Sequence, residues 1–146
     1  MKTPELMPTV EATRLRMQLM AMVRRLRRQA SQDVLPFGLL TVLGAIDRAG
    51  DDITPTELAR QESMRSSNLA SALRELEAGG LILRQSDPED GRRVRVRLST
   101  VGAAALRRNR QLRDGWLQAQ LAGLAEDDRT LLLRAGELLE RLAAAE

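Results

Sequence analysis

Apolar residues recur along this chain with two different periods, and the change between them marks out its organisation. From Val10 to Ala30 there is neither proline nor glycine, and Leu15, Leu19, Met22 and Leu26 fall at steps of four, three and four, one stripe along a helix. Asp33 to Pro36 interrupts that pattern. In the stretch from Phe37 to Ala49, Leu39, Leu40, Val42, Leu43 and Ile46 leave little polar surface, as suits a central, well-buried helix. After the loop Gly50-Asp51-Asp52, Thr54-Pro55-Thr56-Glu57 combines a capping threonine, a proline at the first helical position and a glutamate that can reach back to the cap. This start signal predicts a short helix ending near Gln61. A further helix is predicted from Arg65 to Ala78, with Leu69, Ala72, Leu73 and Leu76 at i, i+3, i+4 and i+7 and the pair Gly79-Gly80 to stop it.

The period then falls from 3.6 to 2. Leu81 to Gln85 reads as a short strand, Asp87-Pro88-Glu89-Asp90-Gly91 as a turn, and Arg93 to Leu98 as a second strand. Strict alternation in the latter puts Val94, Val96 and Leu98 on one face and three arginines on the other, a hairpin with one buried and one basic side. From Ser99 the pattern is helical again. Leu106, Leu112, Trp116, Leu117, Leu121 and Leu124 give an irregular stripe, weakened locally by Gly102 and Gly115. A last helix begins near Ala125 with Glu126, Asp127 and Asp128 in its first turn, where the helix dipole favours anions, and Leu131, Leu132, Leu138, Leu139 and Leu142 form its apolar side.

This order predicts a mainly α fold with a small β-hairpin: a winged helix-turn-helix with N- and C-terminal dimerisation helices. The whole chain, residues 1–146, then forms a single domain, in which 33–98 are the winged helix lobe and 1–32 and 99–146 the dimerisation helices. Leu-rich peripheral helices need a cover, and a second copy of the chain supplies it most economically.

Composition narrows the chemistry. The 146 residues are 43% hydrophobic and 29% charged, with a formal net charge of +3, ordinary values for one folded domain. There is no Cys and no His, which excludes disulfides, zinc–thiolate sites and hydrolysis by a Ser/His/Asp or Cys/His arrangement. No glycine-rich phosphate loop is present either, so an enzyme is not expected, nor a cofactor or a metal. The opening Met1-Lys2-Thr3-Pro4-Glu5 is followed by no apolar run, and no stretch of 18 apolar residues exists. The expectation is a cytoplasmic protein without a membrane partner. A charge of +3 permits an anionic partner, and the positions of the arginines decide whether there is one.

Four pieces, in order, resemble a known series: Ile53-Thr54-Pro55-Thr56-Glu57-Leu58-Ala59, Leu73-Arg74-Glu75-Leu76-Glu77-Ala78-Gly79-Gly80-Leu81-Ile82, Asp87-Pro88-Glu89-Asp90-Gly91-Arg92-Arg93-Val94 and Leu98-Ser99-Thr100-Val101-Gly102. At these spacings the chain is similar to the multiple-antibiotic-resistance-regulator (MarR) family of bacterial transcription factors, from its first helix to its last. The Asp-x-Arg of the family's wing stands here as Asp90-Gly91-Arg92. The resemblance implies a homodimer with interleaved first and last helices, a palindromic operator in double-stranded DNA, usually repression, and often release by a small aromatic or phenolic ligand.

On this reading the recognition helix carries Arg65, Ser66, Ser67, Asn68, Ser71 and Arg74 towards the major groove, small polar side chains that allow close approach to base edges and phosphates. The alternative for Ser66-Ser67-Asn68 is a plain helix start. In the wing, Arg92 at the turn is the candidate for minor-groove insertion, with Arg93, Arg95 and Arg97 behind it; a solvated strand face is the alternative. The family pattern gives Asp90 the task of orienting an arginine by a salt bridge, beside ordinary turn chemistry. Phe37 and Trp116, the only aromatics, are candidates for contact with a small organic effector, or else core residues. Arg24-Arg25-Leu26-Arg27-Arg28 reads as a solvated helical face with ion pairs across the dimer. The acids Asp51-Asp52 and Glu126-Asp127-Asp128 read as loop and cap residues rather than a hard-metal site. A competing function is a winged helix that binds an acidic protein partner and not DNA directly.

Overall fold

The computed structural model describes residues 9–31, 33–50 and 52–145, and these form six helices and one hairpin. They are α1 (Thr9–Ala30), α2 (Phe37–Arg48), α3 (Pro55–Gln61), α4 (Ser66–Ala78), β1 (Ile82–Ser86), β2 (Val94–Leu98), α5 (Thr100–Ala122) and α6 (Glu126–Ala143). Asp51 and the opening residues Met1 to Glu5 lie outside the described residues.

The start of α3 is built as its sequence suggests. Thr54 Oγ1 accepts the Glu57 amide at 3.2 Å and the Glu57 carboxylate accepts the Thr54 amide at 3.0 Å, so two end donors are satisfied reciprocally. α4 ends at Gly79, and Gly80 takes φ +70°, the left-handed conformation open to glycine. The Leu81 amide then turns back to the Leu76 carbonyl at 2.9 Å. Leu81 is therefore spent closing the helix, and β1 starts one residue later than the alternation suggests.

β1 and β2 pair antiparallel, with Ile82 opposite Leu98, Arg84 opposite Val96 and Ser86 opposite Val94. An isolated bridge adds Ile53 beside Val96, whose amide donates to the Ile53 carbonyl at 2.9 Å. The core gathers Val42, Leu43 and Ile46 of α2, Leu58 of α3, Leu69, Leu73 and Leu76 of α4, Ile82 and Val96 of the hairpin and Leu106 of α5, all at most 2% exposed. It therefore continues past Leu98 into the first two turns of α5.

Gly102 explains how α5 gets so close. A Cβ there would stand 1.9 Å from the Leu81 carbonyl oxygen, so only glycine admits this packing of helix on backbone. Ser99 seals the same corner: its hydroxyl donates to the Gly80 carbonyl at 2.6 Å and accepts the Gly102 amide at 3.0 Å, and its amide donates to the Leu81 carbonyl at 3.0 Å. A residue that weakens the helical pattern in one dimension is what docks the helix in three.

The long helices carry their apolar residues outward. Leu15, Met17, Leu19, Met20, Met22 and Val23 of α1 are exposed, as are Leu131, Leu132, Leu133, Leu138 and Leu142 of α6, which has no buried residue among those described. Among the described residues, no helix is long and apolar enough to cross a membrane.

Candidate nucleic-acid interface

The turn between α3 and α4 is short and tightly bonded. Ser63 takes φ +51° and the Met64 amide donates to the Ala59 carbonyl at 2.9 Å, which brings α4 across α3. Leu69, Leu73 and Leu76 anchor α4 in the core, so Ser66, Ser67, Asn68, Ser71 and Arg74 lie exposed along the opposite side with Arg65 at the N-cap. No side chain caps α4, in contrast to α3 and α5, whose first turns are held by Thr54 and Ser99. Its leading amides and small side chains form one open polar row. The spacing that buries the leucines also places this row, because both follow from 3.6 residues per turn.

The hairpin projects beside it. Its turn is organised by two acids through the backbone: Asp87 Oδ1 accepts the Glu89 amide at 2.9 Å, and Asp90 Oδ1 accepts the Arg92 amide at 3.1 Å. The Asp90 carbonyl accepts the Arg93 amide at 2.9 Å, and the Asp87 amide donates to the Arg93 carbonyl at 2.8 Å. Arg92 is thus presented at the tip on a backbone bonded on both sides, and its guanidinium is in no ion pair with another described residue.

The wing arginines divide into two kinds. Arg95 places Nε and Nη2 on Asp87 Oδ2 at 3.2 and 3.0 Å, and its Nη1 on Asp52 of the loop between α2 and α3. It ties the hairpin to the rest of the molecule, and its hydrogen bonds to Asp87 and then Asp52 raise its already high pKa. The Glu89 amide, followed by Arg95, holds the Asp87 carboxyl below the usual range. Among the described residues it is Asp87 whose carboxylate holds a wing arginine side chain, while the Asp90 carboxylate bonds the Arg92 amide within the turn, and Arg95 is engaged by acids from two sides. Arg93 stays largely available, its nearest acid Glu57 at 3.7 Å. The Thr54 amide and hydroxyl, with a smaller part from Arg93 and Arg95, lower the Glu57 carboxyl. Arg65, Arg74 and Arg97 join Arg92 as cations outside any ion pair among the described residues.

The two aromatics do not share a site. Phe37 lines a cavity of about 180 Å³ between α2 and α5 with Leu40, Thr41, Arg48, Leu106, Arg110 and Arg113, whereas Trp116 is not part of that lining. Each ring lies under an arginine of α1: Arg27 is 4.6 Å from the Phe37 centroid and Arg25 is 5.0 Å from that of Trp116. Two of the four arginines of that basic run therefore cover aromatic faces, a role its charge pattern does not announce. Asp33 and Asn109 were not singled out by pattern, yet they meet in the interior. Burial pushes the Asp33 carboxyl up, but the Val34 amide, Asn109 and Arg108 together outweigh it and leave it lowered. No pattern announces a bond spanning 76 residues.

Known proteins share this architecture. The model of the MarR family matches residues 40–93, from α2 to the wing. An uncharacterized HTH-type transcriptional regulator of Mycobacterium leprae is 30% identical over 131 residues, covering 90% of this chain and 91% of the relative. A crystal structure described as that of a transcriptional regulator protein from Pseudomonas aeruginosa superposes with a TM-score of 0.85 at 52% identity, covering 98% of this chain and 100% of that one. Wild-type MarR of E. coli in its apo form superposes with a TM-score of 0.73 at 27% identity, over 94% of this chain and 98% of that one.

Proposed function

This chain belongs to the MarR family of HTH-type transcriptional regulators, and from that premise we propose that it acts as a homodimeric repressor on a palindromic operator in double-stranded DNA. Two observations support the DNA surface above all: Ser66, Ser67, Asn68, Ser71 and Arg74 form an open row on α4, and Arg92 at the wing turn is in no ion pair with another described residue. Small side chains let α4 settle into a major groove, and Arg92, with Arg93 behind it, reaches the flanking minor groove. Arg65 adds a phosphate contact at the helix start. Each protomer supplies residues 33–98 as its DNA-reading lobe, while residues 1–32 and 99–146 hold the dimer together. The setting is the cytoplasm, and the molecule has no catalytic role.

The measurement is fluorescence anisotropy with duplexes from the regulator's own promoter region, at several salt concentrations. Affinity should fall steeply with salt, as it does when arginines displace counterions from phosphates. Retained binding to an acidic protein with no affinity for the duplex would replace this reading by that of a protein-interaction module.

An effector is part of the proposal. The Phe37 cavity, at about 180 Å³, is close to the roughly 150 Å³ that holds a benzene ring in an engineered protein core. Arg48 and Arg110 at its wall are paired with Glu62 and Asp47, but the buried Arg113 Nε has no partner among the described residues, which favours a small aromatic carboxylate over a purely apolar molecule. Stabilisation by salicylate in a thermal-shift assay, lost in Arg113→Leu, is the expected result.

A further inference from the structure

α5 belongs to two parts of the molecule at once. Its buried residues are Gly102, Ala105, Leu106 and Asn109, and Asn109 is the last of them, where the helix leaves the core. At that point it meets the connection between α1 and α2. Asn109, 0% exposed, donates from Nδ2 to the Ala30 carbonyl at 3.0 Å, the final carbonyl of α1, and to Asp33 Oδ2 at 3.3 Å. The Asp33 side chain is 2% exposed; its Oδ1 accepts the Val34 amide at 2.7 Å and faces Arg108 Nη2 at 3.3 Å. Two neighbouring residues of α5 thus grip both the end of α1 and the loop that leads into the DNA-reading lobe.

Burying a carboxylate and an amide is expensive unless both are bonded, and Asn109 Oδ1 has no partner among the described residues. An apolar pair would hold α1 against α5 at lower cost. What the polar pair adds is direction, because hydrogen bonds to one carbonyl and one carboxylate admit a single placement of the α1 end, whereas apolar contact allows sliding. We propose that Asn109, through Asp33 and the Ala30 carbonyl, is a positioning residue that sets the angle between the α1–α5 frame and the DNA-reading lobe, and so the spacing between operator half-sites. This rests on the reading of the protein as a dimeric DNA-binding regulator. A dimer whose two lobes are rigidly placed reads half-sites at one separation along the duplex, and a looser joint tolerates several.

The experiment first selects preferred duplexes from a random pool with the wild-type protein. It then measures anisotropy on the selected half-sites with the gap shortened or lengthened by one and two base pairs. Asn109→Leu keeps similar volume and removes both bonds. It should remain dimeric by light scattering and keep the wild-type half-site sequence, while losing about tenfold of the preference for the best gap. An unchanged gap profile, whatever happens to thermal stability, overturns the proposal. Should Asn109→Leu fail to fold, Asn109→Ala, which also removes both bonds, takes its place with the same two outcomes. A wild-type protein that selects no sequence at all removes the regulator reading, and this proposal with it; selection of paired half-sites with variants that space them normally removes the positioning role alone.

Discussion

Arg92 and Arg95 are both wing arginines, three residues apart, and they should respond differently to removal. Arg92 stands at a turn outside any ion pair among the described residues, so Arg92→Ala should leave unfolding unchanged, as exposed turn substitutions do. It should weaken operator binding by about 1–3 kcal/mol and flatten the salt slope by about one unit per site. Arg95→Ala instead releases Asp87 and Asp52 together, so it should lower the melting temperature as well as the affinity. Anisotropy at several salt concentrations beside thermal unfolding separates the two, and equal stability of both variants would contradict the division. Gly102 is a third single-residue case. Gly102→Ala drives a Cβ into the Leu81 carbonyl, which is backbone and cannot turn aside, so a destabilisation of about 3 kcal/mol in urea unfolding is expected.

Between elements, the joints are made by carboxylates. Glu57 caps α3, Asp87 holds the hairpin through Arg95, and Asp33 lies in the connection between α1 and α2; all three titrate below their ordinary values. A group with a depressed folded pKa contributes fully above its unfolded value, about 3.9 for Asp and 4.3 for Glu, and its contribution is lost as pH falls through the folded one. Stability should therefore hold down to about pH 5 and decline below it. The composition gives the other side of the profile. With no His and no Cys, no side chain of ordinary pKa titrates between about pH 5 and 8, and unfolding free energy should be flat there. Urea midpoints at pH 3, 4, 5, 6 and 8 check both limbs, and a marked change between pH 6 and 8 would count against this account.

For the whole molecule, the largest unmet demand is apolar surface. Leu131 and Leu142 of α6 are each 68% exposed and Leu138 is 52% exposed, on a helix with no fully buried residue among those described. A patch of this kind on two long helices is the mark of an interface between copies. Leu138→Lys should place a charge inside that interface and shift light scattering from twice the chain mass towards the single mass at micromolar concentration. Affinity for a full operator should fall with it, because each lobe alone holds only half the contacts. A wild-type protein that is monomeric under those conditions would sink the dimeric architecture.

Much of this molecule is legible one residue at a time. The leucines of α4, the capping box at Thr54 and the alternation in β2 act over one to four residues, and local geometry converts them directly into helix, cap and strand. The same periodicity puts Ser67, Ser71 and Arg74 on the open side of α4, so the exposed polar row is readable too. What could not be read is which distant groups meet. Asp52 and Arg95 lie 43 residues apart and Asn109 and Ala30 79 apart, with nothing in either local pattern to join them. Asp90 and Asp87 are both plausible partners for an arginine by type and spacing; only the course of the hairpin, which lays Asp87 against Arg95, chooses between them. Gly102 makes the point most plainly. Its helix-weakening propensity is a property of the residue, but its purpose is set by a carbonyl 21 positions earlier that comes within reach only when the chain has folded. Local preferences decide the elements because they act through neighbouring dihedrals, and tertiary packing decides the joints because they depend on where those elements finally lie.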